Sequence, residues 1–341
     1  MALLFIDGFS NNDFVSRYDN GVATNNLSAS TASPRVPGCY YASTVTSSST
    51  QFKKSFTPSN QVFFGLGVKF SNSGAAPYFQ LYGDSGATAH ITVLRNTTSG
   101  RLEIRRGSTG GTLLATGNVV LNINIWHYVE ITATISDTVG TAEVRVNGST
   151  TPDASFTGDT KNAGTATTID MVQFGSVTLS SILYADLYLL NDTGTTNNNF
   201  LGDVAVRSLS PNADGSFSQL TGSDGNQASN YQQVDELPFS SADYNGSANP
   251  GDRDTYNFTD LPAGVTTVYG VQVTTNMAKS DATLGQSRSV LRTGGTNFYG
   301  PTQALSTNYI SYLDMYDTNP DTGVDWTVSD VNGIEGGMEV V

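Results

Sequence analysis

The chain has little of the chemistry from which active sites are most often built. Its 341 residues include one cysteine and two histidines, and only 13% of them are charged, against about 25% in ordinary globular proteins. The single Cys39 excludes an internal disulfide framework. Two histidines and one cysteine are too few for a zinc site of the usual type. No apolar run approaches the roughly 20 residues of a membrane-spanning helix.

Serine, threonine, asparagine and glycine take the place of the missing charge, which is typical of short strands joined by many turns. The hydrophobic fraction of 38% is enough to fill a core, so the chain is not a disordered protein. Its net charge of −14 comes from 16 basic and 30 acidic residues. That balance predicts repulsion from nucleic acid and from anionic membranes, and we expect neither as a partner.

The stretch 126–148 indicates the fold class most clearly. Polar and apolar residues alternate on both sides of a turn at 137–140, as half-buried antiparallel strands require. Asn147 and Gly148 suit a tight turn. We predict an all-β chain of two β-sandwich (jelly-roll) domains. Strands are expected at 3–9, 61–70, 78–82, 90–94, 100–106, 126–135, 142–147, 181–190, 202–209, 266–274, 308–316 and 337–341.

Domain boundaries follow from a polar segment without apolar anchors, NDTGTTNNN, at 191–199. We place the first domain at 1–193, a linker at 194–199, and the second domain at 200–341. Trp126 is predicted to anchor the core of the first domain and Trp326 that of the second. One helical turn is expected at 329–334, with Ser329 or Asp330 as its N-cap.

The first domain carries Trp126 followed by Tyr128, Val129 and Ile131, then the 144–148 hairpin and a closing apolar strand at 182–190. In these features it resembles the concanavalin A-like, laminin-G-like jelly-roll superfamily. The resemblance implies that the first and last strands lie side by side, which would pair 3–9 with 183–190.

The second half contains FLGDVAVRSLSPNADGSFSQ at 200–219, RDTYNF at 253–258 and YDTNPDTGVDWTVSDVNGIEGGMEV at 316–340. With the opening MALLFIDGF and the segment DLYLLNDTG, these pieces resemble structural proteins of tailed bacteriophages. The resemblance covers most of the chain and implies a virion component with a lectin-like sandwich. None of its pieces is an active-site signature.

Catalytic constellations are missing from the sequence. Laminarinase-type glucanases share the jelly-roll fold and use the spacing Glu-x-Asp-x-x-Glu, which none of the six glutamates satisfies. There is no Gly-x-Ser-x-Gly elbow, and Gly65 and Gly67 do not form a dinucleotide fingerprint. His90 and His127 fall in or beside predicted strands, where structural histidines are the commoner case. We therefore predict no catalytic residue, no cofactor site and no metal ligand.

One loop offers oxygen ligands at alternate positions, Asp317, Asn319 and Asp321, as a calcium loop would. Compared with the EF-hand calcium loop, however, Gly323 comes one position late, and Val328 occupies the position of the bidentate glutamate. A structural turn is the better interpretation, although the sequence leaves calcium binding open.

Tyrosines near polar loops are candidates for stacking on sugars, although core and strand positions explain them equally well: Tyr40, Tyr41, Tyr78, Tyr82, Tyr244 and Tyr299.

We predict a non-enzymatic bacteriophage virion structural protein displayed on the particle surface, as a head decoration or a tail-fibre component. Its expected partners are other capsid or tail proteins, further copies of itself, and a host-surface glycan. MALLFIDGF lacks a basic region and is interrupted by Asp7, so we expect no Sec-type export and a virion protein made in the host cytoplasm. The alternative is a tail-associated polysaccharide depolymerase, whose carboxylate pair would come from aspartates.

Overall fold

The computed structural model describes residues 3–11, 13–19, 27–44, 51–178 and 181–341. It is nearly all β, in several antiparallel sheets, which confirms the predicted fold class. The chain divides into two compact units, the first formed by residues 1–10 and 18–206 and the second by 11–17 and 207–341. Residues 200–206, which we had placed in the second domain, therefore belong to the first unit.

The first unit is built from two antiparallel sheets. Its strands are, in chain order, β1 Leu3–Asp7, β2 Leu27–Ser30, β3 Tyr41–Thr44, β4 Gln51–Ser59, β5 Gln61–Phe70, β6 Pro77–Gly83, β7 Thr88–Arg95, β8 Arg101–Arg106, β9 Thr112–Val120, β10 His127–Thr134, β11 Gly140–Val146, β12 Ala154–Gly158, β13 Ile169–Ser176 and β14 Ile182–Asn191. The eight-stranded sheet has the order β12-β11-β10-β5-β14-β3-β2, with β1 also paired to β14. The six-stranded sheet has the order β4-β13-β6-β7-β8-β9.

Two expectations about strand pairing are confirmed. β10 and β11 form the predicted antiparallel hairpin, and Asn147 and Gly148 have the left-handed φ angles of 54° and 70° that the following turn needs. β1 pairs with β14, so that Leu3 lies opposite Leu190. Trp126 differs from its prediction: it precedes β10 and is only half-buried, because its indole packs against Tyr41 rather than between the sheets.

Aromatic rings join the two sheets of the first unit. Phe52, Phe174 and Phe79 form a register row across β4, β13 and β6 of the six-stranded sheet. Phe174 stacks on Phe52 at a centroid distance of 4.6 Å and meets Tyr184 of β14 edge-on at 5.2 Å. Phe79 contacts Phe64 of β5. The inward positions are thus fixed by strand alternation, and every second residue of the six-stranded sheet points away from the core.

The second unit contains a six-stranded sheet of order β15-β18-β24-β20-β21 with β22 paired to β20, and the two-stranded sheets β16-β17 and β19-β23. Its strands are β15 Pro211–Ser218, β16 Thr221–Gly222, β17 Asn245–Gly246, β18 Arg253–Phe258, β19 Val271–Met277, β20 Gln286–Thr293, β21 Thr296–Tyr299, β22 Gln303–Ala304, β23 Ile310–Tyr316 and β24 Glu335–Val340. The predicted anchor Trp326 is buried with Leu291, Val331 and Ile334, which confirms it as a core residue.

Helix contributes little to either unit. α1 (Phe14–Arg17) belongs to the second unit, where the Asp13 carboxylate before it accepts hydrogen bonds from the backbone and hydroxyl of Ser311 in β23. A 3-10 turn covers Asn230–Gln233. α2 (Val328–Asn332) begins at Thr327, whose hydroxyl accepts from the Asp330 N–H while the Asp330 carboxylate accepts from the Thr327 N–H. Our expectation of Ser329 or Asp330 as N-cap is wrong, because Thr327 and Asp330 form a capping box.

Replacing Thr327 with alanine is expected to lower the free energy of unfolding of the second unit by about 1 kcal/mol, since the N-cap hydroxyl would be lost. Urea denaturation of the full chain measures this. Ser329→Ala is the matched control and should change stability by less than about 0.5 kcal/mol, because Ser329 is exposed and lies inside the helix. Equal effects of the two substitutions would contradict the assigned cap.

Candidate functional site

Polar side chains cross the outer face of the six-stranded sheet, the face turned away from the aromatic core. Gln173 of β13 lies opposite Gln80 of β6, Gln80 lies opposite Thr92 of β7, and Thr92 lies opposite Arg105 of β8. We call these four residues the polar row. Strand alternation explains the arrangement, because their neighbours along each strand, such as Phe174 and Phe79, point into the core.

The polar row is internally hydrogen-bonded. The Gln173 amide donates to Gln80 Oε1 at 3.1 Å, the Gln80 amide donates to Thr92 Oγ1 at 3.0 Å, and Thr92 donates to the Gly107 carbonyl at 2.5 Å. Tyr82, two residues along β6 from Gln80, also donates to Gln80 Oε1, at 3.0 Å. These bonds orient both amides and hold their rotamers, so the face is preorganised.

Two tyrosines border the polar row on β6. Burial raises the pKa of Tyr78 to about 12 and also raises the pKa of Tyr82, so both hydroxyls keep their protons at neutral pH. The Tyr78 hydroxyl accepts from the Gln173 amide at 2.8 Å. No described residue accepts the Tyr78 O–H or donates to Gln173 Oε1. Tyr78, Gln173, Gln80 and Thr92 are themselves buried, at 0–5% exposure, so the groups of this face that a ligand can reach are the partly exposed Tyr82 and Arg105.

A carboxylate and a guanidinium lie at the β8 end of the face. Arg105 donates from Nε and Nη2 to Glu103 Oε2 at 2.9 and 2.6 Å, and from Nη1 to the Gly111 carbonyl at 3.0 Å. The Asn96 amide donates to the other oxygen of Glu103 at 2.7 Å. Arg105 nevertheless keeps unused N–H groups, and its side chain is 23% exposed. This pair is held rigidly and can still be reached by solvent.

The face combines the groups that a sugar ring requires. Saccharide hydroxyls both donate and accept, so they suit fixed amides, hydroxyls and a guanidinium. The apolar C–H face of a sugar suits a ring such as Tyr82, which is half-buried, and aliphatic side chains such as Leu94 and the half-exposed Leu113. The arrangement is therefore suited to binding a saccharide, and its glutamate is committed to structural contacts.

The structure brings together only two of the six tyrosines that the sequence offered. Tyr78 and Tyr82 share the candidate face, whereas Tyr41 is buried against Trp126. Tyr40 is half-buried outside this face, and Tyr244 and Tyr299 belong to the second unit. The polar row itself was missed. Its signal was the glutamine in each of the apolar strands PYFQLYG and IDMVQFGS, because an amide at an alternating position must face away from the core.

Both histidines hold structural hydrogen bonds. His90 Nδ1 accepts from the Asn162 N–H at 3.2 Å, and His127 Nε2 accepts from the Asn122 N–H at 2.9 Å. Burial lowers the pKa of each ring, so both are neutral at physiological pH. His127 is buried on the inward side of β10, and both rings have the structural role that the sequence favoured.

A shallow polar depression of about 340 Å³ lies near His90, at the loop end of the first unit. Its two cations are already paired: Lys161 contacts Asp137 at 3.3 Å, and Arg106 forms an ion pair with Asp159. The rest of the lining is Asn162, Ala163 and Gly164. Because each cation faces an anion, the depression offers no concentrated charge to a ligand.

The outer face of the eight-stranded sheet is covered by chain rather than open. Residues 200–206, which we call the strap, lie across it: Phe200 packs edge-on against Phe63, and Gly202 donates its N–H to Glu130 Oε1 at 2.8 Å. Burial raises the pKa of Glu130 above its ordinary value, against the opposing hydrogen bonds from Tyr188 and Gly202. The predicted strand at 202–209 is not formed, because the strap bonds to side chains instead of a strand edge.

A buried arginine fastens the strap. Arg35 Nε donates to Asp186 at 2.7 Å, and the same guanidinium contacts the Asp203 carboxylate and the Val204 carbonyl of the strap. Burial lowers the pKa of Arg35, but the carboxylates of Asp186 and Asp203 outweigh this effect and raise the pKa above its ordinary value. A side chain at Gly67 would meet Arg35, which explains the glycine there. Gly65 likewise leaves room for the ring of Tyr188.

The candidate calcium loop forms a turn. The Asn319 side chain accepts from the Asp321 N–H at 3.0 Å, its backbone carbonyl accepts from the Gly323 N–H at 2.7 Å, and Gly323 has φ of 73°. This is the expected Asx turn. Across the described ranges, no group of three or more His, Cys, Asp or Glu side chains is placed to hold a metal ion.

The three glutamates of the first unit are all engaged. Glu103 binds Arg105 and Asn96, Glu143 binds Arg145, and Glu130 binds Tyr188 and the strap. Glu103 and Glu130 lie on different sheets, so they do not form the closely spaced pair that glycosidases use.

No helix in the described part of the chain is long and apolar enough to cross a bilayer.

Comparison with known proteins gives similarity of fold only. No protein-family model and no curated protein matches the sequence. Solved structures that resemble it include a protein of unknown function with a galectin-like fold from Bacillus subtilis, at 14% identity and a TM-score of 0.39, covering 56% of this chain and 96% of that one. The carbohydrate-binding module CBM66 from Bacillus subtilis shows 7% identity and a TM-score of 0.31, covering 49% and 92%.

A glycosyl hydrolase family protein from Mycobacterium fortuitum also resembles this chain, at 12% identity and a TM-score of 0.34, covering 55% of this chain and all of that one. Both carbohydrate-binding and glycoside-hydrolase proteins are therefore among the structural neighbours. At these identities and TM-scores none of them assigns a function to this chain.

Proposed function

We propose that this chain is a non-enzymatic carbohydrate-binding protein whose saccharide site is the outer face of the six-stranded sheet. The observation that carries the proposal is that Tyr82 and Arg105, the partly exposed groups of this face, are held in place by the buried, hydrogen-bonded side chains beside them, Gln80 and Glu103. The engagement of every glutamate of the first unit supports binding without hydrolysis. Single sites of this kind bind weakly, and repeated copies would raise the overall affinity.

Replacing Arg105 with alanine is expected to weaken saccharide binding at least about tenfold, since a charge-assisted hydrogen-bond donor would be lost. The measurement is a screen of bacterial surface saccharides with the full chain, followed by calorimetric titration of the best ligand. Tyr82→Ala should produce a loss of similar size by removing the stacking ring.

Arg145→Ala is the matched control for that experiment. Arg145 also pairs with the glutamate two residues before it, Glu143, and is 22% exposed, but it lies on the eight-stranded sheet. It should leave the affinity unchanged. Equal losses in the Arg105 and Arg145 variants, or no saccharide bound by the unaltered chain, would contradict the proposal. Reproducible release of oligosaccharides from the bound ligand would favour the depolymerase instead.

The setting in which this binding operates is proposed to be the surface of a bacteriophage particle, as a head decoration or tail-fibre component. Support comes from the sequence resemblance of the segments 200–219, 253–258 and 316–340. Mass spectrometry of purified particles from a phage that encodes the chain tests this part separately. The protein should be present at a fixed ratio to the capsid or tail proteins, and its absence from the particles would refute a virion role.

A further inference from the structure

Three arginines share one face of the main sheet in the second unit. Arg253 of β18 lies opposite Glu339 of β24, and Glu339 lies opposite Arg288 of β20. Arg292 lies four residues further along β20, on the same face, opposite Glu335. We call Arg253, Arg288 and Arg292, with the rings beside them, the arginine face.

Aromatic rings support the guanidinium groups. Arg288 lies 3.8 Å from the ring centroid of Tyr299, and Arg253 lies 4.8 Å from that of Phe217, with Arg292 at 5.7 Å from the same ring. Arg253 Nη1 also donates to the Tyr299 hydroxyl at 2.6 Å. Contacts of this kind restrict the rotamers of long side chains before a ligand arrives, which lowers the entropic cost of binding.

The two glutamates use only part of the hydrogen-bonding capacity of these arginines. Arg288 donates from Nε and Nη2 to Glu339 Oε1 at 3.0 and 2.5 Å, and Arg253 Nε lies 3.2 Å from Glu339 Oε2. No described residue accepts from Arg288 Nη1 or from Arg253 Nη2. The three side chains are 23–31% exposed. The N–H groups of Arg288 Nη1 and Arg253 Nη2 therefore remain available to a further acceptor.

Glu335 is bound by neighbours other than the arginines. It accepts from the Ser216 N–H and hydroxyl, both at 2.7 Å, and from the Thr255 hydroxyl at 2.5 Å. Burial raises the pKa of Glu335, but these hydrogen bonds outweigh burial and keep the pKa below its ordinary value. Arg292 Nε is 3.6 Å from this carboxylate, beyond hydrogen-bonding distance, so the charge of Arg292 is only partly neutralised.

The charge of the surrounding chain makes this cluster distinctive. Residues 207–341 contain five lysines and arginines against sixteen aspartates and glutamates, and three of the five basic residues lie on the arginine face. A long polyanion such as nucleic acid would extend past the arginine face and come within the screening length of about 8 Å of the acidic residues around it, which would repel it. A short acidic saccharide that stays on the arginine face would meet the local positive charge without that penalty.

We infer that the arginine face binds a carboxylate carried by an acidic saccharide, a second binding site separate from the polar row. Arg253 and Arg288 would take the carboxylate oxygens, as planar guanidinium groups do. The Asn297 amide, which receives a hydrogen bond from Arg292 at 3.0 Å, and the partly exposed Tyr299 would face the sugar hydroxyls beside the carboxylate. The inference concerns the second unit alone and does not rest on the proposed site in the first.

Calorimetric titration of the full chain with trigalacturonic acid tests the inference, with its neutral methyl ester as the ligand control. Binding of the acid is expected, with an affinity that falls as salt is raised, and the ester should bind at least about tenfold more weakly because its charge is lost. Arg288→Gln and Arg253→Gln should each weaken binding of the acid about tenfold. Lys279→Gln, which removes a charge elsewhere in the same unit, should leave it unchanged.

Several results would overturn the inference. These are no binding of trigalacturonic acid at millimolar concentration, equal binding of the acid and its ester, equal losses in the Lys279 and Arg288 variants, or a tetraglutamate peptide that binds as tightly as the saccharide. The comparison of acid with ester uses the unaltered chain, so it decides the matter even if an arginine variant does not fold. Arg105→Ala should retain binding of the acid, which separates failure here from failure of the site in the first unit.

Discussion

Replacing Phe174 with alanine is expected to lower the free energy of unfolding of the first unit by about 3–5 kcal/mol. Phe174 is 1% exposed and lies between the sheets. Its ring stacks on that of Phe52 with an interplanar angle of 9°, and it makes edge contacts with Tyr18 and Tyr184. Its removal would leave a cavity between two sheets whose backbones are fixed by hydrogen bonds, so the surroundings can collapse only in part.

Urea denaturation of the full chain measures this loss, and hydrogen exchange with mass spectrometry assigns it to the first unit rather than the second. Phe174→Leu should recover a substantial part of the stability, because most of the apolar volume returns. Val139→Ala is the control: Val139 is 73% exposed, and its replacement should cost less than about 0.5 kcal/mol. A loss below about 1 kcal/mol for Phe174→Ala would show that the sheets do not pack through this ring.

Replacing Arg35 with alanine is expected to cost about 3–5 kcal/mol, because Asp186 is fully buried and would lose the guanidinium that balances its charge. The same change removes the contacts of Arg35 with Asp203 and Val204, so the strap should detach from the eight-stranded sheet. Limited trypsin digestion reports that release, since the strap ends immediately before Arg207. We expect cleavage after Arg207 to become much faster in the variant.

A double-mutant cycle separates the ion pair from the rest of the site. Arg35→Met combined with Asp186→Asn should be less destabilising than the sum of the two single changes, because no isolated charge remains. Asparagine is chosen because residue 186 has φ of 55°, a conformation that asparagine tolerates. Arg106→Ala removes an exposed ion pair with Asp159 and should cost at most about 1 kcal/mol. Additive effects in the cycle would contradict a coupled buried pair.

Periodicity and turn chemistry explain which features the sequence could predict. The alternation in 126–148 and the pair Asn147 and Gly148 predicted the β10–β11 hairpin and the turn after it, because both depend on residues close in the chain. The β1–β14 pairing came from the resemblance to laminin-G-like folds and not from any local pattern. Trp326 was correctly predicted as a core residue.

Features that depend on tertiary contacts were missed. The segment 202–209 alternates like a strand, but its N–H groups at Gly202 and Val206 bond to Glu130 and Asp186, residues distant in sequence. The polar row was missed for a related reason. Each of the four strands contributes one residue to the row, and only the register across them aligns Gln173, Gln80, Thr92 and Arg105. Register between strands distant in sequence is not encoded in either strand alone.

The pairing of β1 with β14 also has a consequence for how the protein is made. Leu3 finds its partner only when Leu190 has left the ribosome, which takes roughly 10 to 40 s at ordinary rates of synthesis. Until then the apolar side chains of β1 have no sheet to join, and closing so long a loop is slow. The first unit therefore completes its fold only near the end of its own translation, and its opening strand has no partner strand during that interval.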